Sequence, residues 1–172
     1  MNYAEYEGLL RKRLGTYFDF KTDVSLDGRT YPLVAEHTAR LEQTVLGKDN
    51  VVDFFDTREF CVLSRHASAN AASVAEELER AKSLVSVLAK PCRTHKSTMI
   101  TRILAVENPR GEPPGSRADA DGLVRSFKHT KPHRFYFHGW SEVRVFVVYL
   151  PTAEVVASPR GKRDRTAFVP IA

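Results

Sequence analysis

The segment from Arg125 to Phe137, Arg-Ser-Phe-Lys-His-Thr-Lys-Pro-His-Arg-Phe-Tyr-Phe, interleaves cations with aromatic rings. Arg125, Lys128, Lys131 and Arg134 can neutralise phosphates, while Phe127, Phe135, Tyr136 and Phe137 offer flat faces for stacking. Single-stranded nucleic acid is bound by that combination of backbone neutralisation and base stacking. The competing reading is a helix end followed by a strand whose aromatics are core. Phe135 and Phe137 alternate with Tyr136, so a strand here buries at least one aromatic face. Just beyond lie Trp140, the one tryptophan, and Arg144, a cation within the apolar run Val143–Leu150. Lys128, Lys131, Arg134, Trp140 and Arg144 are the candidate binding residues. A cation in a buried strand needs a partner, and Glu142 shares the face of Arg144 at period 2.

Carboxylates raise a second chemistry. The chain order of helix, hairpin, strand, helix and strand resembles the core of restriction-endonuclease-like nucleases. That resemblance implies an Asp on one strand and Glu-x-Lys on the next, holding a divalent metal that activates water. Asp23 and Glu36 stand near such a place, but the expected Glu-x-Lys reads Glu59-Phe60-Cys61. Glu142-Val143-Arg144 has the closest form, late in the chain and with Arg for Lys. If a phosphodiesterase is present, Asp23, Glu36 and Glu59 must share one pocket.

The histidines are read as exposed residues of a basic surface, with the approach of His129 and His133 across the Lys131-Pro132 turn as the alternative that could hold a metal. Read as opposite ends of one strand, His133 and His138 are ~16 Å apart and face opposite sides. His95 precedes Ser97 and Thr98, so it is either a general base without an orienting group or a structural turn residue. Walker, Rossmann, Gly-x-Ser-x-Gly, Cys-x-x-Cys and His-Glu-x-x-His patterns are absent. The reading therefore names no catalytic residue, no metal site and no cofactor.

Charge is divided unevenly, and a solvated basic surface is the reading preferred over an anionic partner. Residues 1–86 carry 11 Lys and Arg against 14 Asp and Glu, whereas residues 87–172 carry 15 against 7, within a chain of net charge +5. A basic half can attract a polyanion through counterion release, or simply keep the protein soluble. Cys61 and Cys92 are far apart and beside small or apolar residues, which suits reduced thiols and a cytoplasmic location. No apolar run reaches the ~18 residues that span a bilayer, and the acidic start is unlike a signal peptide.

The elements that must position these residues follow from periodicity. Tyr6, Leu9, Leu10 and Leu14 space an amphipathic helix over 3–14. Asp27-Gly28 joins a hairpin, Phe18–Leu26 to Thr30–Arg40, with Tyr31, Leu33, Ala35 and His37 on one face. Lys48–Thr57 reads as a short helix, with Val51, Val52, Phe54 and Phe55 inward. Phe60–Leu63 is a buried strand. Val74, Leu78, Ala81, Val85 and Leu88 mark a helix over 71–89. Thr98–Val106 is an interior strand. Residues 108–117 form a proline-rich surface loop, and a short helix runs from Asp119 or Asp121 to Lys128. Three strands lie between His133 and Lys162, with Val143–Leu150 central, and 160–172 is a basic tail. The chain, 1–172, is one α+β domain with a mixed, mostly antiparallel sheet and helices packed on it.

Several patches together resemble an uncharacterised family of small archaeal and bacterial proteins, a domain of unknown function. They are Tyr3–Asp19, Tyr31–Arg40, Glu59–Val62, His95–Thr101, and Ser126–Leu150 around Gly139-Trp140 and Val143-Arg144. The resemblance covers nearly the whole chain and implies no activity, cofactor or catalytic residue. The loop at 108–117 is richer in proline than that family suggests. The expected function is a non-enzymatic cytoplasmic binding protein that contacts nucleic acid or another polyanion. The alternatives are the nuclease-like phosphodiesterase and a homodimer formed through a sheet edge or apolar face.

Overall fold

The computed structural model describes residues 1–44, 51–108 and 116–171. Its first helix, α1 (Tyr3–Leu14), starts where Asn2 Oδ1 accepts the Glu5 N–H and the Glu5 carboxylate accepts the Asn2 N–H. This reciprocal cap satisfies two donors that the helix start would leave open. Strands β1 (Asp19–Leu26) and β2 (Arg29–Thr44) meet at Asp27 and Gly28, both at positive φ, as a type I′ turn requires. Then come β3 (Val51–His66), α2 (Ala71–Leu88), β4 (His95–Val106), α3 (Ser116–Ser126), β5 (His129–Pro132), β6 (Trp140–Tyr149) and β7 (Glu154–Ala157). A 3₁₀-helix over Pro159–Phe168 closes the chain.

The strands form one mixed sheet in the order β1-β2-β3-β4-β6-β5, with β7 also on β6. Pairings are antiparallel except β3–β4 and β4–β6, where α2 and the α3 segment serve as crossovers. The fold is α+β. On one face α2 and α3 cover Phe60, Val62, Ile100, Leu104, Val145 and Val147. On the other, α1 and the 3₁₀-helix cover Leu33, Cys61, Leu63, Ile103, Phe146 and Val148. The Tyr6 hydroxyl donates to the Phe168 carbonyl at 3.0 Å, and Arg13 donates to the carbonyls of Ala167, Val169 and Ile171. Cys61 is buried, which pushes its thiol up to about 12, Cys92 is exposed, and both are free.

Six expectations change. Residues 51–57 of the expected helix at 48–57 are strand, in register with β2 from Thr44 to Ala39, and 48–50 lie outside the described residues. β-Branched and aromatic residues in that segment suit a paired strand better than a free helix. Val143–Leu150 is covered on both faces yet lies beside the short β5 and β7, so its apolar run reports two-sided burial and not a central position. Tyr31 packs on the α2 face, away from Leu33 and Ala35, because pairing lapses at Pro32 opposite Asp23, whose φ is +50°. The expected strand at 133–138 is a turn. The expected basic tail packs as the 3₁₀-helix, with Gly161 and Phe168 buried. Of the loop at 108–117, Ser116 and Arg117 open α3, and 109–115 lie outside the described residues.

Candidate functional site

Between β5 and β6 the chain makes a left-handed turn without glycine at its centre. Arg134, Phe135 and Tyr136 have φ of +46°, +53° and +70°. The loop closes through the His133 N–H on the Gly139 carbonyl and the His138 N–H on the His133 carbonyl, at 2.9 and 3.1 Å. Left-handed backbone costs an L-residue roughly 1–2 kcal/mol, and such strain concentrates at functional sites. The turn holds three rings in solvent: Phe135 is 92 %, Tyr136 62 % and Phe137 82 % exposed. A strand would have buried at least one of these faces, and none is buried here.

The turn rests on the start of β4. His95 is buried, with Nδ1 2.6 Å from the His138 carbonyl, so Nδ1 carries the hydrogen, and Nε2 lies 2.8 Å from Thr98 Oγ1. Both nitrogens are committed to structure. His133 stands edge-on to it with centroids 5.6 Å apart and Nε2 2.8 Å from Ser141 Oγ. Burial, then the charges of His95, Lys131 and His138, hold His133 below the ordinary imidazole range. Gly139, at φ +70°, lies against β4 so closely that a Cβ there meets the Lys96 carbonyl oxygen at 2.2 Å and that of His95 at 2.5 Å. Overpacking against backbone together with the disfavoured φ gives an expected loss of about 2 kcal/mol for Gly139→Ala. Urea unfolding followed by Trp140 fluorescence measures it, and an unchanged midpoint contradicts the close packing.

Under the rings is a recess of about 240 Å³ lined by Phe55, Arg93, His95, Lys96, Tyr136, Phe137, Gly139 and Trp140. Arg93, Lys96, Arg134 and Lys131 are exposed and have no carboxylate partner among the described residues. Of the candidate binding residues, Trp140 lines this recess, and Arg134 lies in the turn that carries the rings without lining it. Lys131 lies on the adjoining edge strand β5, and Lys128 is farther along that edge, ~13 Å from Pro132.

Arg144, also a candidate binding residue, is engaged within the protein. Its Nε donates to Glu142 at 3.0 Å, Nη1 to Asp164 at 2.7 Å and Nη2 to Met99 Sδ at 3.1 Å. The expected Glu142–Arg144 pair is present, and Arg160 also approaches the buried Glu142, at 3.4 Å. These groups line a second pocket of about 530 Å³, of which Trp140 forms one wall.

The carboxylates of the nuclease reading do not gather. Glu36 pairs with Phe60 and binds Arg58 on the α2 side, whereas Glu59 alternates to the opposite face. Asp23 is four residues along β1 from the partner of Glu36, ~13 Å away. Among the described residues no group of three or more His, Cys, Asp or Glu is placed to hold a metal ion.

The polar group that sequence reasoning missed lies between the sheet and α2. Arg102, 0 % exposed, donates to Glu77 and Ser64 at 2.6 Å each and to the Val62 carbonyl at 2.9 Å. Arg29 also donates to Glu77. A signal existed: Arg102 interrupts an apolar run, and Glu77 falls on the stripe of Val74 and Ala81 at spacings of three and four.

Among the described residues no helix is long and apolar enough to cross a membrane. No curated protein and no solved structure matches the chain. The family model described as Domain of unknown function (DUF8052) matches residues 2–170, nearly the whole length over which the patches around Tyr3, Glu59, His95 and Trp140 are spread, and the chain belongs to that family.

Proposed function

We propose that this protein is a non-enzymatic, cytoplasmic binding protein for single-stranded nucleic acid, which it takes up at the turn of residues 133–139. The observation that carries the reading is the set of exposed rings at Phe135, Tyr136 and Phe137, held by a strained backbone above a recess flanked by unpaired cations. Rings fixed in water gain by stacking on bases, and Trp140 in the recess provides a further flat wall. Arg93, Lys96, Lys131 and Arg134 supply phosphate neutralisation around the same end of the sheet. Duplex bases are already stacked, so the geometry favours single strands.

The sole tryptophan makes the test direct. Titration with oligothymidylate at low ionic strength is expected to quench Trp140 fluorescence. The slope of log K against log salt should be about −3 for four phosphate contacts. Tyr136→Ala and Phe137→Ala are each expected to weaken binding about tenfold, equivalent to ~1.4 kcal/mol for a lost stack. Absence of binding at low salt overturns the reading. So does binding to anionic lipid vesicles without binding to oligonucleotide.

A further inference from the structure

The opposite end of the β6 edge carries a different surface. Among the described residues β7 pairs only with β6, and its far side is an open sheet edge. The Ser158 N–H donates to the Val145 carbonyl at 2.9 Å, which sets the alternation. Ser158, Val156 and Glu154 direct their backbone groups to β6, and Val155 and Ala157 direct theirs away. Among the described residues nothing accepts or donates to these outward groups. Val155 and Ala157 are nevertheless buried, at 9 % and 6 % exposure. Buried peptide groups in folded proteins are almost always paired.

These two residues form the floor of a groove. α3 makes one wall and the 3₁₀-helix the other, enclosing a cavity of about 760 Å³ that continues into one of about 280 Å³. Cations stand on both walls. Arg117 and Arg125 lie on α3, and Lys162 and Arg165 on the 3₁₀-helix. Arg117 is committed to Glu154 and stacks on Tyr149, its guanidinium carbon 3.8 Å from the ring centroid. Arg125 has only Asp121, at 3.7 Å, and Lys162 and Arg165 have no carboxylate partner among the described residues.

We infer that this groove binds an extended acidic peptide, which adds a strand to the free edge of β7. Main-chain groups of the peptide pair with Val155 and Ala157. Successive side chains of a strand point to opposite walls. Because both walls are cationic, the preferred sequence has consecutive acidic residues and not acidic residues at every second position. Strand addition of this kind draws affinity from main-chain bonds and specificity from the flanking side chains. The site is separate from the aromatic turn, so the two readings stand or fall independently.

The test uses a fluorescein-labelled, end-blocked octapeptide of repeated Asp-Glu and the same peptide methylated on every backbone nitrogen. Methylation retains every charge but prevents entry into a ladder. Fluorescence polarisation is expected to show saturable binding of the first, at least about tenfold weaker binding of the second, and about tenfold weakening by Arg125→Ala with Arg165→Ala. Saturation with the unmethylated peptide should slow hydrogen exchange at the Val155 and Ala157 amides about tenfold or more. Equal binding of both peptides, absence of binding, unchanged exchange at those amides, or equal protection of them by oligothymidylate overturns the inference.

Discussion

Glu77→Gln is expected to lower the unfolding free energy by about 3–5 kcal/mol, the range for removing one partner of a buried ion pair. Burial alone pushes the Glu77 carboxyl up, but Arg102 and Arg29 outweigh it and hold the group below its ordinary value. Glutamine keeps much of the shape and removes the charge. Arg102 would then remain fully buried with no anion, while Arg29 still points at the same place. Backbone bonds from Nη1 to Val62 and Ile103 fix the guanidinium, so it cannot swing to water. The double variant Glu77→Leu with Arg102→Met removes both charges and is expected to recover most of the loss, to within about 2 kcal/mol of the parent. Urea unfolding of the set decides it. A change under about 1 kcal/mol for Glu77→Gln contradicts the pair as the means of neutralising Arg102.

Acid acts on the same network through His66. Its pKa is lowered from 6.5 to about 4, chiefly by burial; the Glu77 carboxylate pulls it back up in part, and Arg102 and Arg29 each add a smaller downward push. Ser64 Oγ lies 2.6 Å from both Arg102 Nη2 and His66 Nε2. The hydroxyl accepts from arginine and donates to a neutral imidazole. Protonation of His66 would place two donors against one oxygen. Because the unfolded chain binds this proton more readily, the contribution is fully present above pH 6.5 and declines as pH falls to about 4. The shift corresponds to about 3 kcal/mol. His66→Gln should flatten the stability profile across that window, measured by chemical unfolding at a series of pH values. Below it, the depressed Glu77 adds a further loss, since its contribution disappears as that carboxylate protonates. An equally steep decline in His66→Gln would assign the acid sensitivity to another group.

Local patterns carried much of the architecture. The 3–4 spacing of Val74, Leu78, Ala81 and Val85 locates α2, that of Tyr6, Leu9, Leu10 and Leu14 locates α1, and Asp27-Gly28 marks the hairpin. Information that depends on distant partners was not legible. Val51, Val52, Phe54 and Phe55 satisfy a helical spacing, and only β2, extending to Thr44, makes them strand. The aromatic turn was hidden for another reason. Left-handed backbone is ordinarily signalled by Gly, Asn or Asp, and Arg134-Phe135-Tyr136 contains none, so alternation suggested a half-buried strand. The cations of the candidate site could be named from sequence, but their state could not. Arg134 has no carboxylate partner among the described residues, whereas Arg144 is consumed by Glu142 and Asp164.

The bonds of Tyr6 and Arg13 to the chain beyond Ala167 affect how the molecule is made. Synthesis delivers α1 well before these partners. Until the 3₁₀-helix has left the ribosome, the buried side of α1 and the sheet face around Phe146 lack the segment that covers them. Until Phe168 emerges a nascent chain therefore carries exposed apolar surface, the condition under which chains aggregate or engage chaperones. A chain that stops short of Phe168 would leave one face of the sheet open.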